Sequence, residues 1–201
     1  MRKKLIYWLM FPALLGVACH QKSASTVAAV PAVDSSKSVH FFFPVTSYLE
    51  GALTQVDRIP VTPLLITLYE DKRDSTWISK STLHTLAAPF LTPLIDSARM
   101  DSLFTVSSFL DQTINAVTLT YDPKVRLPDT LTLNHWDVYI DPDKSQVQRI
   151  YMVKESENQG ATVTTQLTWE AGKSFRIRTI TERQKLAPEV KEQIVKWDFG
   201  Q

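Results

Sequence analysis

The sequence predicts an α+β domain: an antiparallel β-meander of about seven to nine strands that could curve into a half-barrel. One longer N-terminal helix and one or two short helices pack on one of its faces. Two observations predict this class. Apolar residues alternate with polar ones through the second half of the chain, as in Trp136, Val138 and Ile140. The connections there are short and rich in turn residues, which favours antiparallel neighbours.

The first helix is predicted over residues 44–57. Pro44 suits a first helical turn, and apolar residues follow it at spacings of three and four. A capping box from Ser47 to Glu50 offers a competing start. Pro60 and Pro63 end the element.

Two strands follow, at residues 64–70 and 75–80, joined by a charged turn over 71–74. A short helix is predicted over 81–90, and residues 94–103 are ambiguous between helix and loop. The remaining strands are predicted at 104–110, 116–121, 130–141, 146–155, 161–170, 174–182 and 191–199.

The N-terminus has the layout of a secretory signal. Three basic residues precede an uncharged run from Leu5 to Val17, whose 13 residues are too few to span a membrane as a helix. Ala18 and Cys19 follow. The end of this signal resembles the lipobox of bacterial lipoproteins, although Gly16 stands where the common pattern has leucine.

The resemblance implies that the thiol of Cys19 is lipidated and becomes the new N-terminus, after removal of residues 1–18. The alternative is ordinary cleavage near residues 23–25, which would leave a soluble periplasmic or secreted protein. No acidic sorting signal follows Cys19, which favours the outer membrane, with the domain facing the periplasm. Residues 19–38 predict a flexible tether, and residues 39–201 one domain with conceivable lobes at 39–103 and 104–201.

Charge and glycine content exclude several functions. Removal of residues 1–18 leaves 19 basic and 21 acidic residues, which predicts no nucleic-acid partner. Five scattered glycines form no phosphate-binding loop. No histidine and cysteine spacing predicts a zinc site, and no cofactor is expected. The run from Asp141 to Ser145 lacks the later calcium ligands, so we interpret it as a hairpin turn.

His135 and Asp137 are the one candidate pair for acid-base chemistry, because alternate residues of a strand point to the same side. The favoured interpretation is simpler: two polar residues alternate on a solvated sheet face. Trp136, Trp169 and Trp197, together with Trp77, could line an apolar ligand cavity or fill a solid core.

We therefore predict a non-catalytic domain with a role in binding or assembly, anchored to the membrane. By arrangement it resembles the small uncharacterised lipoproteins of Gram-negative envelopes. A carrier of an apolar ligand or lipid is the first alternative, and an envelope hydrolase is the second.

Overall fold

The computed structural model of the chain describes residues 42–95, 97–128 and 130–200, all within one compact unit, Val39–Gln201. Its elements in chain order are α1 (Val45–Arg58), β1 (Leu64–Tyr69), β2 (Lys72–Trp77), α2 (Lys80–Ala87), a 3-10 turn (Ala88–Phe90), α3 (Ser97–Leu103), β3 (Phe104–Asp111), β4 (Ala116–Pro123), β5 (Leu133–Asp141), β6 (Gln146–Asn158), β7 (Ala161–Glu170), β8 (Ser174–Arg183) and β9 (Glu189–Lys196).

The strands form one open sheet in the order β2-β1-β9-β8-β7-β6-β5-β4-β3, and every neighbouring pair is antiparallel. The predicted antiparallel α+β architecture is thus confirmed. From β3 to β9 each strand pairs with the next in sequence, and most of the connections are short turns that let consecutive strands fold back on each other. The β1-β2 hairpin extends the sheet by pairing β1 with β9. The first and last parts of the domain therefore share one sheet.

Helix α1 packs through one apolar stripe. Its buried apolar residues, Val45, Leu49, Leu53 and Val56, follow at spacings of four, four and three. Its C-terminus is capped from outside the helix, since the Lys80 ammonium donates to the carbonyl oxygens of Asp57 and Ile59 at 2.7 and 2.6 Å. A cation at this end also interacts favourably with the helix dipole.

Helix α2 begins at a side-chain cap. The Ser79 hydroxyl accepts a hydrogen bond from the Thr82 backbone N–H at 3.1 Å. The chain that follows α2 is tied to the sheet by Lys154 of β6, whose ammonium donates to the carbonyl oxygens of Pro89 and Thr92. Burial lowers the pKa of Lys154 to about 8.

The core lies between the sheet and the helices, on what we term the helix-covered face of the sheet. Trp136, Trp169 and Trp197 lie on this face and are buried. The opposite side, termed the outer face, carries the alternate residues of each strand, among them His135 and Asp137.

The hairpin between β1 and β2 differs from the prediction. The predicted second strand over residues 75–80 starts instead at Lys72 and ends at Trp77. Glu70 and Asp71 alone form the turn, because Glu70 adopts a φ of 50° and Tyr69 pairs directly with Lys72. The charged residues expected in the turn therefore lie in β2, at an edge of the sheet where water solvates them.

The final strand also ends earlier than predicted. It ends at Lys196 rather than near residue 199, and Phe199 is 51% exposed. Its ring packs edge-on against that of Trp77, which is 62% exposed, at a centroid distance of 5.6 Å. Trp77 and Phe199 therefore lie at the surface, outside the hydrophobic core.

Among the described residues, no helix combines the length and the apolar character that crossing a membrane would require.

Candidate functional site

The structure brings His135 and Asp137 together on the outer face of β5. In the sheet register Asp137 lies between Thr120 of β4 and Tyr151 of β6. Trp136 and Val138 point the other way, into the core. The alternation of β5 therefore places a titratable pair on the outer face, as the spacing of two residues predicts.

Both ring nitrogens of His135 contact carboxylates. Nδ1 lies 2.8 Å from Oδ1 of Asp122, and Nε2 lies 3.1 Å from Oδ2 of Asp137. We refer to His135, Asp122 and Asp137 as the histidine clamp. Asp122 belongs to β4, so the clamp links two neighbouring strands.

Asp137 accepts two further hydrogen bonds. The Thr120 hydroxyl donates to Oδ1 at 2.6 Å, and the Tyr139 hydroxyl donates to Oδ2 at 3.3 Å. The carboxylate is buried, so these bonds replace much of the water that it loses. The site is a saturated hydrogen-bond network around one carboxylate.

The charges in the clamp reinforce one another. The pKa of His135 is raised from 6.5 to about 9, chiefly by the hydrogen bond to Asp137 and also by the one to Asp122. Burial of the ring acts in the opposite direction but is outweighed. Burial alone would raise the pKa of Asp137, but the hydrogen bonds from His135 and Thr120 outweigh it and lower that pKa. At neutral pH the site is therefore an imidazolium between two carboxylates.

The contacts of His135 favour a structural role for this residue. A general base needs a neutral ring nitrogen that faces a substrate, within hydrogen-bond distance of the proton it removes. Both nitrogens of His135 are occupied, and the ring is protonated at neutral pH. The clamp instead joins β4 to β5 by two charge-assisted hydrogen bonds.

Trp136 lies in a group of packed rings. It stacks on Tyr121 at a centroid distance of 4.5 Å and an interplanar angle of 8°, and Phe104 packs edge-on against it at 4.6 Å. Its Nε1 has no hydrogen-bond partner within the described structure. The indole of Trp136 is therefore packed against two other aromatic rings.

Trp169 and Trp197 belong to a second such group. The Trp169 ring lies 5.6 Å from Phe90, 5.6 Å from Phe175 and 5.3 Å from Trp197. Offset and edge-on pairs at these distances are typical of a packed aromatic core. The two groups favour the solid-core interpretation of the tryptophans over a ligand cavity.

Four surface cavities on the described residues have volumes of about 730, 550, 500 and 410 Å³. The largest lies between α1 and two hairpin tips, and Phe43, Tyr48 and Gly51 contribute to its wall. None of the four is lined by His135 or by the three buried tryptophans. Neither candidate from the sequence therefore faces one of these cavities.

Asp141 forms a turn, in which its Oδ1 accepts the backbone N–H groups of Asp143 and Lys144 at 2.9 and 3.1 Å. Within residues 42–95, 97–128 and 130–200, no group of three or more potential ligands is arranged to hold a metal ion. Cys19 and the tether lie outside the described residues.

Asp122, Thr120 and Tyr139 are residues of the site that the sequence did not single out. Tyr139 could have been found, since it follows Asp137 by two residues on the same face. Thr120 and Asp122 could not, because their proximity depends on the register between β4 and β5.

No family model, no curated protein and no solved structure matches this chain.

Proposed function

We propose that this chain is an outer-membrane lipoprotein, anchored through Cys19, whose domain works by binding another protein and performs no catalysis. The N-terminal layout supports the anchor: a basic start, a short apolar run, and Ala18 before the single cysteine of the chain. The open sheet supports the binding role, because an unprotected edge strand can accept a strand from another chain.

The proposal that the domain is not catalytic rests on the contacts of His135. Its two ring nitrogens are bound by two carboxylates. Turnover of an envelope substrate by the wild type, lost in His135→Gln without unfolding, would overturn this part of the proposal. The hydrolase alternative would then take its place.

The anchor predicts a specific effect of Cys19→Ser. The wild type should incorporate an alkyne-labelled fatty acid, and its intact mass should show an acylated N-terminus at residue 19. The variant should lose both signals, because the acyl chains need the sulfur nucleophile. Ser23→Ala, in the alternative cleavage region, should retain both. An unmodified wild-type N-terminus near residue 25 would contradict the anchor.

The packed tryptophans predict that the interior of the domain holds no ligand. Native mass spectrometry of residues 19–201 carrying Cys19→Ser, purified without detergent, should give the mass of the polypeptide alone. The reason is that the rings of Trp169, Phe90 and Phe175 occupy the space that a half-barrel carrier would keep for its ligand. A reproducible additional mass of lipid size would instead support the carrier alternative.

A further inference from the structure

Strand β3 ends the sheet on one side. It pairs with β4 through eight residues, and the sheet order contains no strand beyond it among the described residues. An edge strand presents a row of backbone N–H and C=O groups that can pair with another extended chain. The partner that this edge can bind is therefore an extended β-strand.

The two edges of the sheet differ in charge. β2 carries Lys72, Arg73 and Asp74 among its six residues, and charged side chains of this kind protect an edge from pairing. β3 carries no charged side chain from Phe104 to Leu110, and Asp111 is its last residue. β3 is thus the unprotected edge of the two.

Apolar side chains on β3 remain in water on both faces. Phe109 and Leu110 are each 53% exposed, although they are neighbours and point to opposite sides of the sheet. Val106, on the same face as Leu110, packs against the core. A strand added beside β3 would cover Leu110 and extend that apolar surface.

Ser108 lies midway between two apolar residues on the helix-covered face of β3. Val106 and Leu110 lie two residues on either side of it on the helix-covered face, and Ser107 and Phe109 flank it on the outer face. In an antiparallel pair of identical strands with Ser108 on a two-fold axis, Val106 lies opposite Leu110 of the second copy. Asp111 then lies opposite Thr105, so no like charges meet.

We propose that the partner of β3 is a second copy of this chain, paired antiparallel through β3 with Ser108 on the two-fold axis. This inference rests on the proposed protein-binding function and names its partner. The contact is isologous: each copy uses the same strand, and the pairing closes both β3 edges at once. The remaining edges, β2 in each copy, keep their charges.

The test uses charge at the axis. Residues 19–201 with Cys19→Ser, which excludes a disulfide-linked dimer, are measured by native mass spectrometry and light scattering from about 1 to 200 µM. The protein with the wild-type β3 sequence should form a dimer whose population increases with concentration. Ser108→Lys and Ser108→Asp should each weaken it at least about tenfold, because like charges oppose each other across the axis.

Mixing the two variants gives the decisive readout. An equimolar mixture of Ser108→Lys and Ser108→Asp should form a heterodimer, since opposite charges then meet at the axis. Ser75→Lys, at an exposed position on β2, is the matched control and should dimerise like the wild type. Circular dichroism should show that all variants are folded, which the exposure of Ser108 favours.

Three outcomes would overturn the inference: a monomeric wild type, a dimer that neither charge weakens, or variants that are not rescued by mixing. A monomer would leave the β3 edge to a strand of a different protein, so the proposed binding function would survive. The proposed lipid anchor is tested separately, by the mass of the N-terminus of the mature protein.

Discussion

Replacing Trp169 by alanine should lower the free energy of unfolding by about 3–5 kcal/mol. The side chain is fully buried and contacts the rings of Phe90, Phe175 and Trp197. Truncation to a methyl group removes the transfer free energy of the indole and leaves a cavity among large, rigid side chains. Those neighbours come from β8, from the chain after α2, and from the segment after β9, so they cannot all move to fill it.

Trp77→Ala is the matched control for this prediction, because the chemical change is identical. Trp77 is mostly exposed and contacts Phe199 at the surface. Its loss should change the free energy of unfolding by about 0.5 kcal/mol or less. Urea denaturation followed by far-UV circular dichroism measures both variants without relying on tryptophan fluorescence.

The outcome of this comparison bears on function as well as on stability. A small effect of Trp169→Ala would mean that the interior tolerates an empty volume, as the interior of a ligand carrier must. A large effect, with a small one for Trp77→Ala, would agree with a core in which the tryptophans are structural. Equal effects would contradict the burial of Trp169.

The strand positions were predictable because two local signals coincide in the second half of the chain. Alternation marks the strands, and turn residues mark their ends. Gly160 and Gly172 adopt φ values of 74° and 72°, a conformation that glycine reaches without the steric cost of a Cβ. Each sits in the tight turn of a hairpin, and each marks in the sequence where a strand must reverse.

The β1-β2 hairpin was placed less accurately for a physical reason. Lys72, Arg73 and Asp74 have the composition of a turn, yet they form half of an edge strand. One side of an edge strand is open to water, so solvation removes the usual penalty on charge in a sheet. Composition alone does not distinguish a solvated turn from a solvated edge.

The candidate site could be predicted only along one strand. The spacing of His135 and Asp137 gives their common face, which the structure shows. The second carboxylate, Asp122, precedes His135 by 13 residues and reaches it only because β4 folds back on β5. That register depends on long-range packing, so the occupied state of both ring nitrogens was not visible in the sequence.

His135→Gln should lower the free energy of unfolding by about 2 kcal/mol at neutral pH, and the difference from the wild type should disappear at high pH. The pKa of His135 rises from 6.5 to about 9 on folding. This corresponds to at most about 3 kcal/mol, and the exposure of Asp122 to solvent reduces the expected value. Because the folded-state pKa is the higher one, the stabilisation is complete below pH 6.5 and is lost as the pH rises through 9.

The difference between wild type and variant isolates this effect. Lys154, whose pKa is lowered to about 8, titrates in the same range with the opposite sign, but it is present in both proteins and cancels. His84→Gln is the control. His84 contacts Asp57 at an exposed site, so its replacement should change stability by less than about 1 kcal/mol. Urea denaturation from pH 6 to about 10 gives the profile. A wild-type advantage that stays constant across this range would mean that His135 acts through packing, and the imidazolium clamp would be wrong.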